Sequence, residues 1–454
     1  MASASEQLAA NMNLGVFAKA KELQHRLLFT LGILIIYRLG TFVPIPGMDM
    51  AAFQTAFSSG GGGLLTRLNM FAGGAVERMA IFALNVMPYI SASIIMTLMK
   101  GSIPSLKELD KDGEQGRKQI NQYTRYLTVF LAAFQAFGIA RALQGTPGAV
   151  INPGLFFQAS TVITLVGGTM FLMWMGEQVT ARGVGNGVSL IIFAGIVAEL
   201  PKAIFQAFEL NQQGTVSELL LLFLIVLFVG LSMLIVYVER AQRRLLVQYP
   251  KRQMAGGKTF GGESSFMPLK LNTAGVIPPI FASSLLLLPA TLGPILMNNS
   301  AEEGTGIVGT ILAFISYGSP LYLTLYAILI IFFCYFYVPY VFKPDDVADN
   351  LRKNGGFLPG IRPGKRTADY LSYVLSRLTF IGAVYVAFVC VLPELIIARQ
   401  GGAIPPSVAM LIGGMSLLII VSVTLDTVAQ IQSHLVAHQY EGLIKKSRMR
   451  RRNR

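Results

Sequence analysis

Apolar residues along this chain gather in long unbroken runs separated by polar interruptions, without the strict alternation of barrel strands. Stretches of about 20 such residues, the length that carries a helix across roughly 30 Å of hydrocarbon, recur along the whole sequence. They lie at 27–43, 79–99, 123–143, 157–178, 188–208, 218–238, 272–293, 320–342, 378–397 and 406–432. Backbone N–H and C=O groups find no water inside lipid, so spans of this kind must be helices. The pattern predicts an all-α polytopic membrane protein with ten transmembrane helices.

Ten spans make two sets of five. With an odd number in each set, the second must run opposite to the first, an inverted repeat if the two share a fold. The expected organisation is a polar N-terminal segment (1–26), a first half (27–208), a connecting loop (209–217), a second half (218–432) and a basic tail (433–454). In each half the second span carries proline, Pro88 in one and Pro278 with Pro279 in the other, where it would loosen the helix and let the span bend. Just before the second span, "GGGLLTRLNMFAGG" (61–74) is too short to cross a bilayer. It sets Leu64, Leu65, Leu68, Met70 and Phe71 on roughly one flank between glycines. Two readings stand: a re-entrant stub, which needs surrounding protein or a water-filled cavity, or an amphipathic helix on the outer interface.

Composition agrees with the runs. Of 454 residues 53% are hydrophobic and 13% charged, and the mean hydropathy of +0.57 is too apolar for a soluble protein. The first apolar run ends at "FVPIPG" with no small-residue cleavage site, which predicts an uncleaved span. With the N-terminus inside, 31 of the 37 Lys and Arg residues fall in inner-side segments, so both termini are expected in the cytoplasm. Arg38, inside the first span, is within reach of snorkelling to the outer interface. Two inner loops, 239–271 and 343–377, are long, basic and rich in Gly and Pro turns. Ordinary positive flanking with attraction to anionic lipid explains them, and so does a docking surface for an acidic or RNA-bearing partner. The tail "KKSRMRRRNR" has the same two readings.

Catalytic chemistry is hard to find. There is no phosphate-binding P-loop, and "RGVGNGVS" (182–189) joins two spans without a preceding strand, which suits a tight interhelical turn. His25, His434 and His438 form no ligand cluster, and Cys334 and Cys390 lie in apolar spans. No catalytic residue, metal or cofactor is expected, and the chain reads as a non-enzyme. Coupled solute transport is disfavoured by the scarcity of ionisable residues at midplane, and a non-conducting scaffold by the stub and the large loops.

The segments "FVPIPG", "NMFAGGA", "MPYISASII", "QYTRYLTV", "GEQVTARGVGNGVS", "IIFAGIVA", "AGVIPPIFASS", "ADNLRKNGGFLPGIRPG" and "RLTFIGAVY" occur in one order. From about residue 20 to 445 the chain thereby resembles the bacterial SecY family, channel subunits of the general protein translocase. The resemblance implies two inverted five-helix halves around a pore in the bacterial inner membrane, passing unfolded preproteins across and releasing hydrophobic segments sideways into the lipid. It implies a pore ring of Val86, Ile90, Ile192, Ile280 and Ile419, with Val86 and Ile90 four apart on one helical face. It also implies a plug at 64–72 hinged at Gly73 and Gly74, and a lateral gate with Ser91 and Asn272 on its seam. Docking of the ribosome or of the motor ATPase SecA would use Arg243, Arg244, Lys251, Arg252 and Arg362. SecE-like and SecG-like small subunits and signal sequences complete the implied partners.

Overall fold

The computed structural model describes residues 20–60, 69, 72–145, 148–214, 217–249, 252–253, 259–260, 264–286, 319–399 and 413–452. The chain divides into two compact units: the described residues up to Pro201 together with those from Val423 onward, and Lys202–Ser422.

The first unit holds α1 (Lys21–Gly40), α2 (Met50–Gly60), α3 (Met87–Ser102), α4 (Pro104–Lys111), α5 (Glu114–Gln144), α6 (Leu155–Arg182) and the start of α7 (Gly187–Gln212). Helix α5 packs on α3, α4 and α6, and α1 lies on α6. The reason is in the α5 sequence. Ile120, Thr124, Thr128, Ala132, Ala136 and Ala140 recur every four residues along one buried stripe, and the small ones let neighbouring helices approach closely. Thr124 and Thr128 donate their hydroxyls to the carbonyls of Ile120 and Thr124, so neither is left unpaired in the packed layer. The opposite flank exposes Tyr126, Phe130, Phe134 and Phe137, the surface a bilayer would cover. Between α6 and α7 the turn at 183–186 is as tight as its sequence suggests: a Cβ on Gly187 would lie 1.9 Å from the Gly176 carbonyl oxygen.

The second unit contains α8 (Glu218–Arg240), a β-ribbon, α9 (Ile277–Leu286), α10 (Pro320–Val341), α11 (Pro344–Lys353), α12 (Lys365–Arg399) and the first part of α13 (Gly414–Arg452). Helices α10 and α12 pack together. Ser217 and Ser319 cap α8 and α10, accepting from the N–H groups of Leu220 at 3.3 Å and Tyr322 at 3.1 Å. Cys334 and Cys390 are buried, and neither is in a disulfide.

Among the described residues, seven helices are long and apolar enough to cross a membrane: α5, α6, α7, α8, α10, α12 and α13. Three apolar runs behave differently. The first becomes α1, which begins before the run with Lys21, Glu22 and Arg26 and carries Arg38 within it. The second, expected at 79–99, is helical only from Met87, and 79–86 is a chain of turns. The seventh is described as helix only over Ile277–Leu286. The prolines of these last two spans do not bend them. Pro88 stands in the first turn of α3, and Pro278 and Pro279 in that of α9, where a missing N–H has no intrahelical partner to lose; they start the helices. Helix α13 also runs on to Arg452, well beyond the apolar run that ends at 432.

Candidate functional site

Two regions stand out because they break the helical pattern. The first is the buried backbone that leads into α3. Residues 72–86 form successive turns, yet Ala72, Ala75, Val76, Met79, Ala80 and Phe82 are almost wholly buried. Irregular backbone buried in this way needs partners for its polar groups, and the neighbouring segments supply many of them. Ile45 N–H donates to the Met79 carbonyl and Ile81 N–H to that of Val43, both at 2.9 Å, so "FVPIPG" forms a short bridge with 79–81. Gly74 N–H donates to the Asn69 carbonyl at 2.9 Å. Glu77 N–H donates to Asn69 Oδ1 at 2.8 Å, and Asn69 Nδ2 donates back to Glu77 Oε2 at 3.3 Å, which closes the turn from 69 to 77.

Gly73 and Gly74 sit within this turn at φ of 63° and 82°, a region glycine enters without strain. Both also have close neighbours that a side chain would have to displace. A Cβ on Gly73 would lie 3.0 Å from the Gly195 Cα of α7, and one on Gly74 would lie 2.5 Å from Glu199 Oε1. From the α1 side, Arg38 Nη1 donates to the Gly73 carbonyl while its Nη2 stands 3.9 Å from Glu199 Oε1. Arg78 lies with its guanidinium 4.2 Å from the Phe42 ring centroid, Arg38 5.1 Å from the same ring. The Tyr37 hydroxyl and Arg78 Nη1 are buried without a partner. Arg38 therefore does not simply reach for the outer interface, as snorkelling would have it: its side chain is about two-thirds buried and its guanidinium donates to a backbone carbonyl, with a carboxylate 3.9 Å away. Glu199 is the residue that sequence reasoning misses. An acid inside the apolar run 188–208, two residues before Pro201, is the signal that points to it.

The residues expected to carry function are distributed as follows. Leu64, Leu65, Leu68, Met70 and Phe71 lie outside the described residues, as does Lys251. In the first unit Val86 is fully buried as the N-cap of α3 and Ile90 follows one turn on, its N–H donating to the Val86 carbonyl at 3.0 Å. Ser91 and Ile192 are buried on α3 and α7. In the second unit Ile280 is half-buried on α9 and Ile419 buried on α13. Asn272 is committed within that unit: its Nδ2 donates to Glu239 Oε1 at 2.6 Å and to the Gly275 carbonyl at 3.2 Å, and its Oδ1 accepts from Gly275 N–H at 3.1 Å.

The second region is cytoplasmic in the sequence reading, and it is not a pair of separate turn-rich loops. Antiparallel strands β1 (Gln242–Gln248) and β4 (Ser264–Lys270) form a ribbon, with a short pair, β2 (Arg252–Gln253) and β3 (Thr259–Phe260), further out along the chain. Leu245 and Val247 from β1 and Leu269 from β4 pack with Leu358, Leu371, Val374 and Leu378 into one buried cluster. Gln248 and Phe357 exchange both backbone hydrogen bonds at 2.9 Å, so the segment after α11 is paired to the ribbon. The alternation of buried Leu245 and Val247 with less buried neighbours is the strand signal that Gly and Pro content obscures. Arg243 and Arg244 are exposed on β1 and Arg362 on the segment between Phe357 and α12, all carried by this one body. Arg252 is placed on β2.

Comparison with known proteins agrees with these features. The SecY family model matches residues 80–428. A protein translocase subunit SecY from Rickettsia conorii is 49% identical over 433 residues, covering 94% of this chain and 97% of its own. The corresponding subunit of Escherichia coli is 48% identical over 432 residues, covering 94% and 95%. A solved protein-conducting channel superposes with a TM-score of 0.65 at 17% identity, over 91% of this chain and 93% of that one. The channel in a canine ribosome complex from the endoplasmic reticulum gives 0.60 at 18% identity, with the same coverage. At half identity over nearly its whole length, the chain belongs to the SecY family of protein translocase channel subunits.

Proposed function

We propose that this protein is the protein-conducting channel of a bacterial inner membrane, passing unfolded preproteins across and releasing hydrophobic segments into the bilayer. The observation that carries the reading is the match to translocase subunits end to end, 94% of this chain against 97% of the relative. Physics supplies the need. A charged side chain at the bilayer centre costs roughly 2.5–3.5 kcal/mol even on the lenient insertion scale, and a secretory chain carries many. A water path is required, and at rest a constriction of bulky apolar side chains can close it by dewetting.

Val86, Ile90, Ile192, Ile280 and Ile419 are the residues we assign to that constriction. The segment 64–72 is the plug, with Gly73 and Gly74 as its hinge, and Ser91 and Asn272 belong to the lateral gate. In this reading the ribosome and the motor ATPase SecA dock on the basic body that carries Arg243, Arg244 and Arg362, with Lys251 and Arg252 of the same chain segment contributing. That the channel is ribosome-bound in solved relatives supports the first of these partners. SecE-like and SecG-like subunits brace the two halves, and both termini face the cytoplasm. The motor or ribosome provides the driving energy.

The test is a disulfide trap. A preprotein with a single cysteine, stalled in transit through an Ile280→Cys variant, should crosslink at that position and not at a lipid-facing control such as Phe223→Cys. No crosslink at position 280 with a productively stalled chain would remove the channel axis from this part of the molecule.

A further inference from the structure

We propose that Gly40 of α1 and Gly168 of α6 are positioning residues: they form a seat for Ile81 and Phe82 that fixes where α3 begins, and with it where Val86 and Ile90 stand. The proposal rests on the pore-ring reading of those last two residues given above. Both helices make the seat in the same way, each offering a glycine and an aromatic side chain three residues apart, Tyr37 with Gly40 and Gly168 with Phe171. The Phe82 ring is stacked on Tyr37 and on Phe171, with centroids 6.2 Å away in each case. The glycines let the chain come this close. A Cβ on Gly40 would lie 2.0 Å from Phe82 Cε2, and one on Gly168 would lie 2.1 Å from the Ile81 carbonyl oxygen. Gly167, the neighbour of Gly168, is exposed and has nothing within 4 Å of the place a Cβ would take.

What sits in the seat is tied directly to the start of α3. Ile81 N–H donates to the Val43 carbonyl at 2.9 Å, and the Phe82 carbonyl accepts from Asn85 N–H at 2.9 Å. Val86 follows at once as the N-cap, with Pro88 in the first turn. A proline there starts a helix but does not decide where the helix stands; the packing of 81–82 against α1 and α6 does. Rotating a side chain cannot make room beside a backbone carbonyl. An alanine at 168 therefore has to shift the Ile81–Phe82 backbone, and Val86 goes with it. Val86 is fully buried, so such a shift shows as new access to water.

Cysteine labelling in membrane vesicles tests this, in a background where Cys334 and Cys390 are changed to alanine. A water-soluble maleimide should modify Val86→Cys slowly in the parent and severalfold faster with Gly168→Ala, while Gly167→Ala leaves the rate as it was. Ala132→Cys, at a fully buried site on α5, should keep one rate in all three. An unchanged rate at position 86 in Gly168→Ala overturns the seat. So does an equal rise at position 132, because that would mean general loosening of the unit. Should Gly168→Ala fail to assemble, Gly40→Ala makes the test from the other helix, since the nearest atoms its Cβ meets all belong to the Phe82 ring. Its effect on labelling should shrink in a Phe82→Leu background, which lacks the Cε2 it strikes; equal effects in the two backgrounds overturn the proposal. Idle ion conductance in planar bilayers tests the reading beneath. Faster labelling at 86 together with a severalfold higher conductance supports both, whereas faster labelling at parent conductance keeps the seat and removes Val86 from the pore ring.

Discussion

The turns at 72–86 and the body around β1 and β4 both interrupt a helical protein, but they are held by opposite means. The first is secured by directed contacts: Asn69 to Glu77, Arg38 to Gly73 and the short bridge between 43–45 and 79–81. Its backbone enters the left-handed region at Gly73, Gly74, Met79 and Asn85. The second is secured by area, since Leu245, Val247, Leu269, Leu358, Leu371, Val374 and Leu378 bury one another in a continuous cluster. Directed contacts are lost one at a time at small cost each. A shared apolar core is lost together or not at all. The first construction suits a moving part and the second a rigid platform, so each can be tested by attacking what is supposed to hold it.

The largest effect is expected in the body. Leu371 is fully buried at the base of the cluster, and Leu371→Ala should cost about 2–5 kcal/mol, the range for deleting a packed leucine side chain. Trypsin should then cut within 239–270 and 343–377 together, while exchange at 73–82 stays as in the parent. Cutting confined to one of the two segments would show that they do not share a core. Next comes Asn69→Ala, which leaves the Glu77 N–H without its acceptor and should cost about 1–3 kcal/mol, the penalty for an unpaired buried donor. Its readout is faster exchange at 73–82 with no new trypsin sites in the body. Gly74→Ala should be slightly milder in dihedral strain alone, about 1–2 kcal/mol, but it also pushes against Glu199. Higher idle conductance with a thermal midpoint lowered by only a few degrees is the expected result, and normal conductance would show that the hinge tolerates a side chain.

How much of this was readable in advance follows from the same contrast. The spans were legible because twenty apolar residues in a row leave one solution in lipid, and α5 through α8, α10 and α12 lie on the predicted runs. Where the reading went astray, a local rule was overridden by tertiary contacts. Apolar composition at 79–86 promised helix, but pairing with 43–45 and burial against α1 and α6 held that backbone without one. Pro88, Pro278 and Pro279 promised bends and instead begin helices, because the helix starts later than the apolar run. In the body, glycine and proline marked turns and masked the strand alternation, and the packing of 245–247 against 371–378 spans over a hundred residues of sequence. At the turn before α3, Gly73 and Gly74 were singled out by resemblance. Glu199 was not, since a single acid in an apolar run acquires meaning only once Arg38 and Gly74 are placed beside it.

The smallest effect on stability, and the sharpest on function, belongs to Arg362→Glu. Arg362 is exposed, and its backbone carbonyl already accepts from the Thr367 hydroxyl at 2.9 Å, so the segment keeps its shape when the side chain changes. Exposed substitutions of this kind move stability by no more than about 0.5 kcal/mol. The body would remain protease-resistant with its cluster intact. The change replaces a positive charge with a negative one on a surface already carrying Arg243 and Arg244, and attraction to an acidic or phosphate-bearing partner falls with it. Motor-driven transport of preprotein into inverted vesicles should therefore drop, and drop further as salt screens what attraction is left. Leu371→Ala should lower transport by disordering the platform, and Arg362→Glu by leaving the platform whole with its charge reversed. Protease resistance separates the two causes. Transport at the parent rate by an intact Arg362→Glu protein would mean that rigidity of the body serves something other than docking through that arginine.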